Sequence, residues 1–252
     1  RGDWNLGGRF HGGWWQSIKE DWRKQIYLND EATIEQDYSG LHINLLYGLQ
    51  GLQPQEDPYT IDALLGFKEA EQRKIVKGIA LMGINAKNPK KAFAAFRQDQ
   101  QTGSVEKSMT DKQLQLLLDG FKEKHPAIAD SICTDKGVEL MAVDGRITSK
   151  VINYFTQKNI PVLTVHDSYI TPHTHTGELR RVMNEAVTEE LKGFKINIEQ
   201  EGVGLDQVQA FKNADSSNAL DYSYEAIPSY NRTEGYNNRL KRHNKWLMKD
   251  DY

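Results

Sequence analysis

The pattern of hydrophobic and polar positions predicts short strands early in the chain. Residues 25–28 and 32–36 are strand candidates on either side of a turn at 29–31. The second strand runs into Asp37, and apolar positions at helical spacing begin only after Gly40. Asp37 is therefore expected at a junction of strand and helix, where its carboxylate serves either as a helix N-cap or as part of a site.

A further strand candidate contains a His-Asp pair. Residues 161–170 form a short, β-branched run bounded by Pro161 and Pro172. This pattern predicts a buried strand, or a tight hairpin with His166 and Asp167 at its tip. A carboxylate at the end of a buried strand is costly unless it is paired. A bound metal ion would explain the placement, and so would an ordinary surface turn.

Apolar residues recur at intervals of three and four in the other regular stretches, which predicts amphipathic helices. The predicted helices follow Gly40 and cover residues 59–67, 69–85, 112–124, 137–157 and 177–194. An edge strand is predicted at 195–199, and residues 98–110 are expected to form an exposed loop.

Composition limits the class of protein. The chain has 252 residues, enough for one large domain or two small ones, and a formal net charge of −3, so a nucleic-acid site would have to be a local basic patch. No apolar run approaches the roughly 20 residues that span a bilayer, and no signal-peptide pattern opens the chain. The single cysteine, Cys133, excludes an internal disulfide and favours a reducing compartment. Because the chain begins with Arg1, we expect a processed or truncated piece of a longer protein.

The predicted helix 69–85 carries a basic stripe. One face has side chains at four-residue intervals, namely Arg73, Lys77, Leu81 and Asn85. Two cations followed by two smaller groups would fit a triphosphate with room for a sugar and a base; a solvated basic face is the alternative. Gly78 and Gly83 weaken this helix, and space for a ligand would explain them.

Other stretches leave alternatives open. Residues 1–16 place Arg9 between two glycine pairs, in a loop that either brings Arg9 and backbone amides to an anion or anchors tryptophans in the core. Residues 87–97 combine lysines with two phenylalanines as a local basic and aromatic patch. His173 and His175 have a spacing compatible with a metal but no further ligand nearby. The basic cluster 239–246 suits either a phosphate backbone or a charged tail.

Three of these stretches, in this order, resemble the motifs of the family A polymerase superfamily. That superfamily holds the DNA polymerase I-like enzymes and the single-subunit phage and mitochondrial RNA polymerases. Asp37-Tyr-Ser-Gly-Leu-His42 resembles motif A, the Arg73-to-Asn85 stripe resembles motif B, and Val165-His-Asp-Ser168 resembles motif C. Gly8-Arg9 is similar to the element that precedes motif A. The resemblance spans about residues 7–195.

The resemblance implies an α+β fold, with a polymerase palm whose antiparallel sheet carries both aspartates and with a helical fingers insertion. The implied division is a palm part with motif A at 1–54, fingers with motif B at 55–135, a palm part with motif C at 136–200, and an extension of unknown role at 201–252.

The resemblance also implies a role for each candidate residue. Asp37 and Asp167 would hold two Mg²⁺ ions, and the backbone at Tyr38 would add a metal or phosphate contact. Arg73 and Lys77 would bind the triphosphate, with Lys77 protonating the leaving group. The other nucleotide contacts would come from Tyr38, His42, Leu81 and Asn85. The contacts to nucleic acid would come from Arg9, His166 and Arg146.

Four positions depart from the family pattern. Leu81 and Asn85 replace the aromatic residues of motif B, His42 replaces a glutamate that excludes the ribose 2′-hydroxyl in DNA polymerases, and Ser168 ends motif C as in the RNA enzymes. The Asp-Tyr-Ser spelling of motif A favours deoxynucleotides, and the sugar preference stays open. A thumb is expected on another chain, unless it has been removed or is dispensable.

The sequence thus predicts a template-directed DNA polymerase core that extends a primer 3′ end by two-metal-ion phosphoryl transfer. Expected partners are a primer–template, nucleoside triphosphates and a separate chain supplying the thumb, with no membrane; the expected location is the cytoplasm, or the host cytoplasm for a viral or phage protein. Three alternatives stay open: a ribonucleotide-using RNA polymerase-like enzyme, a non-catalytic polymerase-like nucleic-acid-binding subunit, and an unrelated α/β protein.

Overall fold

The computed structural model describes residues 6–24, 26–29, 31–54, 57–62, 66–201 and 241. In chain order the helices and strands are α1 Glu20–Arg23, β1 Tyr27–Leu28, β2 Glu31–Tyr38, α2 Leu41–Gly48, α3 Glu69–Asn85, α4 Pro89–Asp99, α5 Asp111–Lys124, α6 Gly137–Gln157, β3 Leu163–Val165, β4 Ser168–Pro172, α7 Thr176–Glu190 and β5 Ile198–Glu201. Antiparallel strand pairs build the sheet. The predicted α+β fold with an antiparallel sheet is therefore confirmed.

Two compact units divide the chain. The helical unit comprises Arg1–Arg9, Gly40–Arg146 and Thr188–Lys195, and the sheet unit comprises Phe10–Ser39, Ile147–Val187 and Ile196–Tyr252. Most of the predicted extension 201–252, including all of the basic cluster 239–246 except Lys241, lies outside the described residues. In the described part of the chain, none of the helices combines the length and the apolar character that a bilayer crossing requires.

The strand β2 is the centre of the sheet unit. It pairs with β4, which pairs with β3, and it also pairs with β1 and β5. Ile34, Gln36 and Tyr38 are buried, and the residues between them are half-buried, as the two-residue period of a strand requires. The buried face packs against helices, because the Tyr38 hydroxyl donates to the Met183 carbonyl oxygen of α7 at 2.7 Å. Glu35 and Asp37 therefore share the opposite face.

In the helical unit, α3 packs closely against its neighbours at its two glycines. A Cβ atom on Gly78 would lie 3.0 Å from the Phe96 ring of α4, and one on Gly83 would lie 3.0 Å from Ile132. Side chains of the protein therefore fill the space beside both glycines. The expectation that a ligand occupies this space is wrong. Phe93 and Phe96 are buried at 3% and 1% exposure, so the aromatic part of the predicted basic and aromatic patch belongs to the core.

The helix predicted at 59–67 is not formed at its described positions, which are turn and coil. The Asp57 carboxylate accepts hydrogen bonds from the Tyr59 backbone N–H at 3.3 Å and from the Thr60 hydroxyl. Such side-chain bonds to the following residues stabilise a turn in competition with a helix.

The first glycine pair packs the chain against α6. The Gly7 N–H donates to the Val138 carbonyl oxygen at 3.0 Å. A Cβ atom on Gly145 would lie 2.5 Å from the Gly8 carbonyl oxygen, so only glycine permits this approach. The close packing gives these glycines a structural role and positions Arg9 directly after them.

Candidate active-site residues

In the sheet unit, Asp37 and Asp167 lie side by side. Asp37 is the register partner of Ser168 in the antiparallel pair of β2 and β4. The Tyr38 N–H donates to the Asp167 carbonyl oxygen at 3.3 Å. Both aspartates line one open cleft. This adjacency is the arrangement that the resemblance to motifs A and C implies.

The predicted hairpin with a His-Asp tip is present. Val165 pairs with Ser168, so His166 and Asp167 form the two-residue connection between β3 and β4. His166 has a φ of 56°, a left-handed conformation that two-residue hairpins require and that histidine adopts more readily than most residues. The N-cap of α2 is Gly40, which removes the interpretation of Asp37 as a helix cap.

The cleft that contains the two aspartates is strongly acidic. Its carboxylates are Glu20, Glu35, Asp37, Asp167 and Glu199, beside one guanidinium, that of Arg23. Glu199 is the register partner of Asp37 on β5, so the two side chains share a face of the sheet. Its carboxylate accepts a hydrogen bond from the Ser39 hydroxyl at 2.7 Å. Carboxylates at this density repel one another, and a bound cation would relieve the repulsion.

Glu35 is held by protein groups within this cleft. Arg23 donates to its two carboxylate oxygens at 3.2 and 3.3 Å. The Ser168 hydroxyl donates to Glu35 at 2.5 Å. Ser168 therefore orients a glutamate of the neighbouring strand.

Asp37 and Asp167 fit a Mg²⁺ site of the kind completed by substrate. Mg²⁺ is usually held by one or two carboxylates together with waters and substrate phosphates, because it gives up its waters reluctantly. Among the described residues, no group of three or more His, Cys, Asp or Glu side chains is arranged to hold a metal by itself. His173 and His175 belong to no such group; the ring of His175 lies 3.1 Å from a Glu178 carboxylate oxygen.

In the helical unit, the stripe predicted on α3 is exposed at Arg73, Lys77 and Leu81. The Arg73 guanidinium donates to both carboxylate oxygens of Asp57, at 3.1 and 3.0 Å. Burial raises the pKa of Asp57, but hydrogen bonds from Arg73, Thr60 and the Tyr59 backbone, with the charge of Arg73, lower that pKa to about 2. Asp57 therefore occupies the guanidinium that the resemblance assigns to the triphosphate.

Sequence reasoning missed Tyr59, the aromatic residue beside these cations. The Arg73 guanidinium carbon lies 5.7 Å and the Lys77 ammonium 5.9 Å from the centroid of its ring. Asn85, the last residue of the stripe, donates from its side-chain amide to the Leu81 carbonyl oxygen at 2.8 Å. Tyr59 is far from motif B in sequence, so no spacing could have identified it.

Also in the helical unit, Arg9 joins Asp144 and His42. The Arg9 Nε lies 2.5 Å from an Asp144 carboxylate oxygen, and the Asp144 side chain is 1% exposed. A second guanidinium nitrogen of Arg9 lies 3.0 Å from the His42 Nε2. Because a guanidinium only donates, Nε2 must accept, and the ring proton lies on Nδ1. His42 Nδ1 is buried and has no hydrogen-bond partner among the described residues.

His42 is expected to make the protein less stable in acid. Burial, together with the charge of Arg9, lowers the pKa of His42 from 6.5 to about 4. The unfolded chain binds a proton at 6.5 and the folded chain does not, so stability is complete above pH 6.5 and falls as the pH approaches 4. The loss should reach about 3 kcal/mol, since one pKa unit corresponds to about 1.4 kcal/mol.

Urea unfolding of the wild type and of His42→Gln, at pH 7 and pH 4.5, checks this prediction. Glutamine keeps an acceptor for Arg9 but cannot titrate, so the variant should lose less free energy of unfolding on acidification. His125, whose pKa is also lowered by burial, is present in both proteins and cancels in the comparison. An equal acid loss in both proteins would exclude His42 as the cause.

Two other predicted residues have defined surroundings. The Tyr38 side chain is 1% exposed and bonded to Met183, which leaves its backbone as the group for the predicted contact. Arg146 is exposed, and its Nε donates to a Glu190 carboxylate oxygen at 2.7 Å. His166 is exposed. The binding roles of Tyr38, Arg146 and His166 stay predictions.

Comparisons with known proteins show a likeness at the level of structure. No protein-family model matches the chain, and no curated protein matches it. Among solved structures, the chain is similar to the POL domain of Pol1 from M. smegmatis in complex with DNA primer-template and dNTP, with a TM-score of 0.45 and 9% sequence identity. The match covers 69% of this chain and 40% of that one.

Proposed function

We propose that this chain is the core of a template-directed nucleotidyltransferase, a DNA polymerase that extends a primer 3′ end. The observation that carries the proposal is the placement of Asp37 and Asp167 side by side at one end of an antiparallel sheet. The two carboxylates come from distant parts of the sequence and converge in an acidic cleft. In two-metal phosphoryl transfer, such a pair would hold divalent cations, which offset the negative charge of the reacting groups.

The carboxylates of the cleft would act by holding divalent cations beside the reacting groups. When bound, two Mg²⁺ ions would favour deprotonation of the primer 3′-hydroxyl and neutralise the charge of the transferred phosphoryl group. Asp37 and Asp167 would hold these ions, and the Tyr38 backbone would supply a further contact. Arg23 and Ser168 keep Glu35 oriented within the same cleft. Without a cation, the carboxylates of the cleft would repel a triphosphate.

The exposed stripe of α3 supplies the chemistry for the triphosphate. Arg73 offers a planar guanidinium and Lys77 an ammonium, and both form strong charge-assisted hydrogen bonds with phosphate. Binding of a triphosphate by Arg73 would displace Asp57 from its guanidinium. Lys77 is the group that we propose protonates the leaving pyrophosphate.

Primer extension tests the proposal. The chain would be incubated with a DNA primer–template and Mg²⁺, with deoxynucleotides and ribonucleotides in parallel and with EDTA as a control. We expect Mg²⁺-dependent extension with deoxynucleotides. Extension with ribonucleotides alone would favour the RNA polymerase-like alternative, for which Ser168 is the supporting residue. Primer–template binding without extension, even with a candidate partner chain that supplies a thumb, would favour a non-catalytic subunit.

Lys77→Ala is expected to lower kcat/KM for the incoming nucleotide about tenfold or more, because a charge-assisted hydrogen bond to the triphosphate and the proposed proton donor to the leaving group are both lost. Steady-state extension at varied nucleotide concentration measures the change. Lys90→Ala is the matched control, since Lys90 is also an exposed lysine of the helical unit but lies on α4, outside the stripe. Equal effects of the two substitutions would reduce the role of Lys77 to general surface charge.

A further inference from the structure

Residues 10–16 expose aromatic rings in the sheet unit. Phe10 is 42% exposed and Trp14 is 63% exposed, and His11 lies on the surface between them in sequence. Every exposed side chain in this segment is a ring; the other exposed residue is Gly12. Large exposed aromatic side chains are unfavourable in water, so a group of them indicates contact with a partner.

The segment is held firmly while its rings face outward. The Trp15 Nε1 and the Gln16 side-chain amide donate to the Thr164 carbonyl oxygen at 2.9 and 2.8 Å. The same amide donates to the Phe10 carbonyl oxygen at 3.1 Å. A Cβ atom on Gly13 would lie 2.3 Å from the Trp15 ring, so glycine is required for this shape. Trp14 is therefore exposed on an anchored loop.

The anchored loop is continuous with the acidic cleft. Thr164 belongs to β3, at the outer edge of the sheet, two residues before the turn that carries Asp167. The His11 and His166 rings meet edge to face, with centroids 6.3 Å apart. Gln16 lines the cleft together with both aspartates. A nucleic-acid strand whose end was bound at Asp37 and Asp167 would therefore pass beside the exposed rings of residues 10–16.

We propose that residues 10–16 are a stacking platform for unpaired bases of single-stranded nucleic acid, next to the proposed catalytic cleft. The choice of nucleic acid as the ligand rests on the proposed function, and the flat aromatic rings of the segment support this choice. Every nucleobase has a flat π-face, so stacking on Phe10, His11 and Trp14 would be strong and tolerant of sequence. The absence of exposed aliphatic side chains within residues 10–16 disfavours an apolar protein helix as the partner.

The test is binding of fluorescein-labelled oligothymidylate, measured by anisotropy with Mg²⁺ present and no nucleoside triphosphate, so that the charge of the cleft carboxylates is compensated and no extension takes place. The double variant Phe10→Ala and Trp14→Ala should raise the Kd about tenfold or more, because base stacking is lost. Its salt dependence should match that of the wild type, because the substitutions remove rings and no charge. An abasic oligomer of equal length should bind the wild type as weakly as oligothymidylate binds the variant.

Trp22→Ala is the matched control. Trp22 is 67% exposed but lies on α1, outside the anchored loop, so its loss should leave the Kd unchanged. Three results would overturn the proposal: no binding by the wild type, equal binding of the abasic oligomer, or equal loss from Trp22→Ala. Asp167→Asn should abolish extension yet leave this binding intact, so failure of the platform and failure of the polymerase proposal are distinguishable.

Discussion

Asp167→Asn is expected to lower the rate of primer extension by roughly a thousandfold or more. The substitution keeps the size of the side chain but removes the charge that would hold a divalent cation, and a metal contributes several kcal/mol to stabilising the transition state. Each 1.36 kcal/mol is about a factor of ten in rate. Asp37→Asn should have a comparable effect, and the double variant should be little worse than either single one, because the two groups act as a unit.

Stability measurements separate this loss of activity from misfolding. The cleft holds Glu20, Glu35, Asp37, Asp167 and Glu199. Removing one negative charge from such a group relieves repulsion, so Asp167→Asn should unfold at the same denaturant concentration as the wild type or a higher one. Asp130→Asn makes the same chemical change at an exposed position of the helical unit and should keep full activity. Retention of extension by Asp167→Asn would contradict the proposed mechanism.

Asp144→Ala is expected to lower the free energy of unfolding by about 3–5 kcal/mol, the range for breaking a buried ion pair by removing one partner. The Asp144 side chain is 1% exposed and that of Arg9 is 17% exposed. The substitution would leave the Arg9 guanidinium in a poorly solvated position with His42 as a neutral acceptor. Urea unfolding of the wild type and of Asp144→Ala at neutral pH measures the difference in the free energy of unfolding.

A second ion pair in the same unit provides the contrast. The Arg146 side chain is 49% exposed in its pair with Glu190, and exposed pairs contribute about 0–1 kcal/mol. Arg146→Ala should therefore change the free energy of unfolding by less than about 1 kcal/mol. Equal losses from Arg146→Ala and Asp144→Ala would mean that burial does not set the strength of the Arg9–Asp144 pair.

Local pattern predicted several elements well. The apolar spacing predicted a helix at 69–85, and α3 has those bounds, with Arg73 and Lys77 on its exposed face. Pro161 and the β-branched run predicted either a buried strand or a hairpin with His166 and Asp167 at its tip, and the hairpin is present. These features succeed because periodicity and turn chemistry act between residues that are close in sequence.

Local pattern failed where a long-range contact decided the outcome. The pattern around Gly78 suggests space for a ligand, but Gly78 is the position where Phe96 of α4 approaches α3. The helix predicted at 59–67 is replaced, at its described positions, by turns and coil that Asp57 stabilises through hydrogen bonds. Nothing in the spacing of Glu199 or Tyr59 indicates that each would lie beside a candidate residue.

The sequence by itself determined the types of element, the order of the three motif-like stretches and the identity of both aspartates. Only the tertiary structure decided which side chains meet. It placed Asp37 against the Asp167 turn, set Glu199 opposite Asp37, and joined Arg9 to Asp144. The physical reason is that strand register and helix packing depend on the whole set of buried contacts, and these join residues that no short-range period relates.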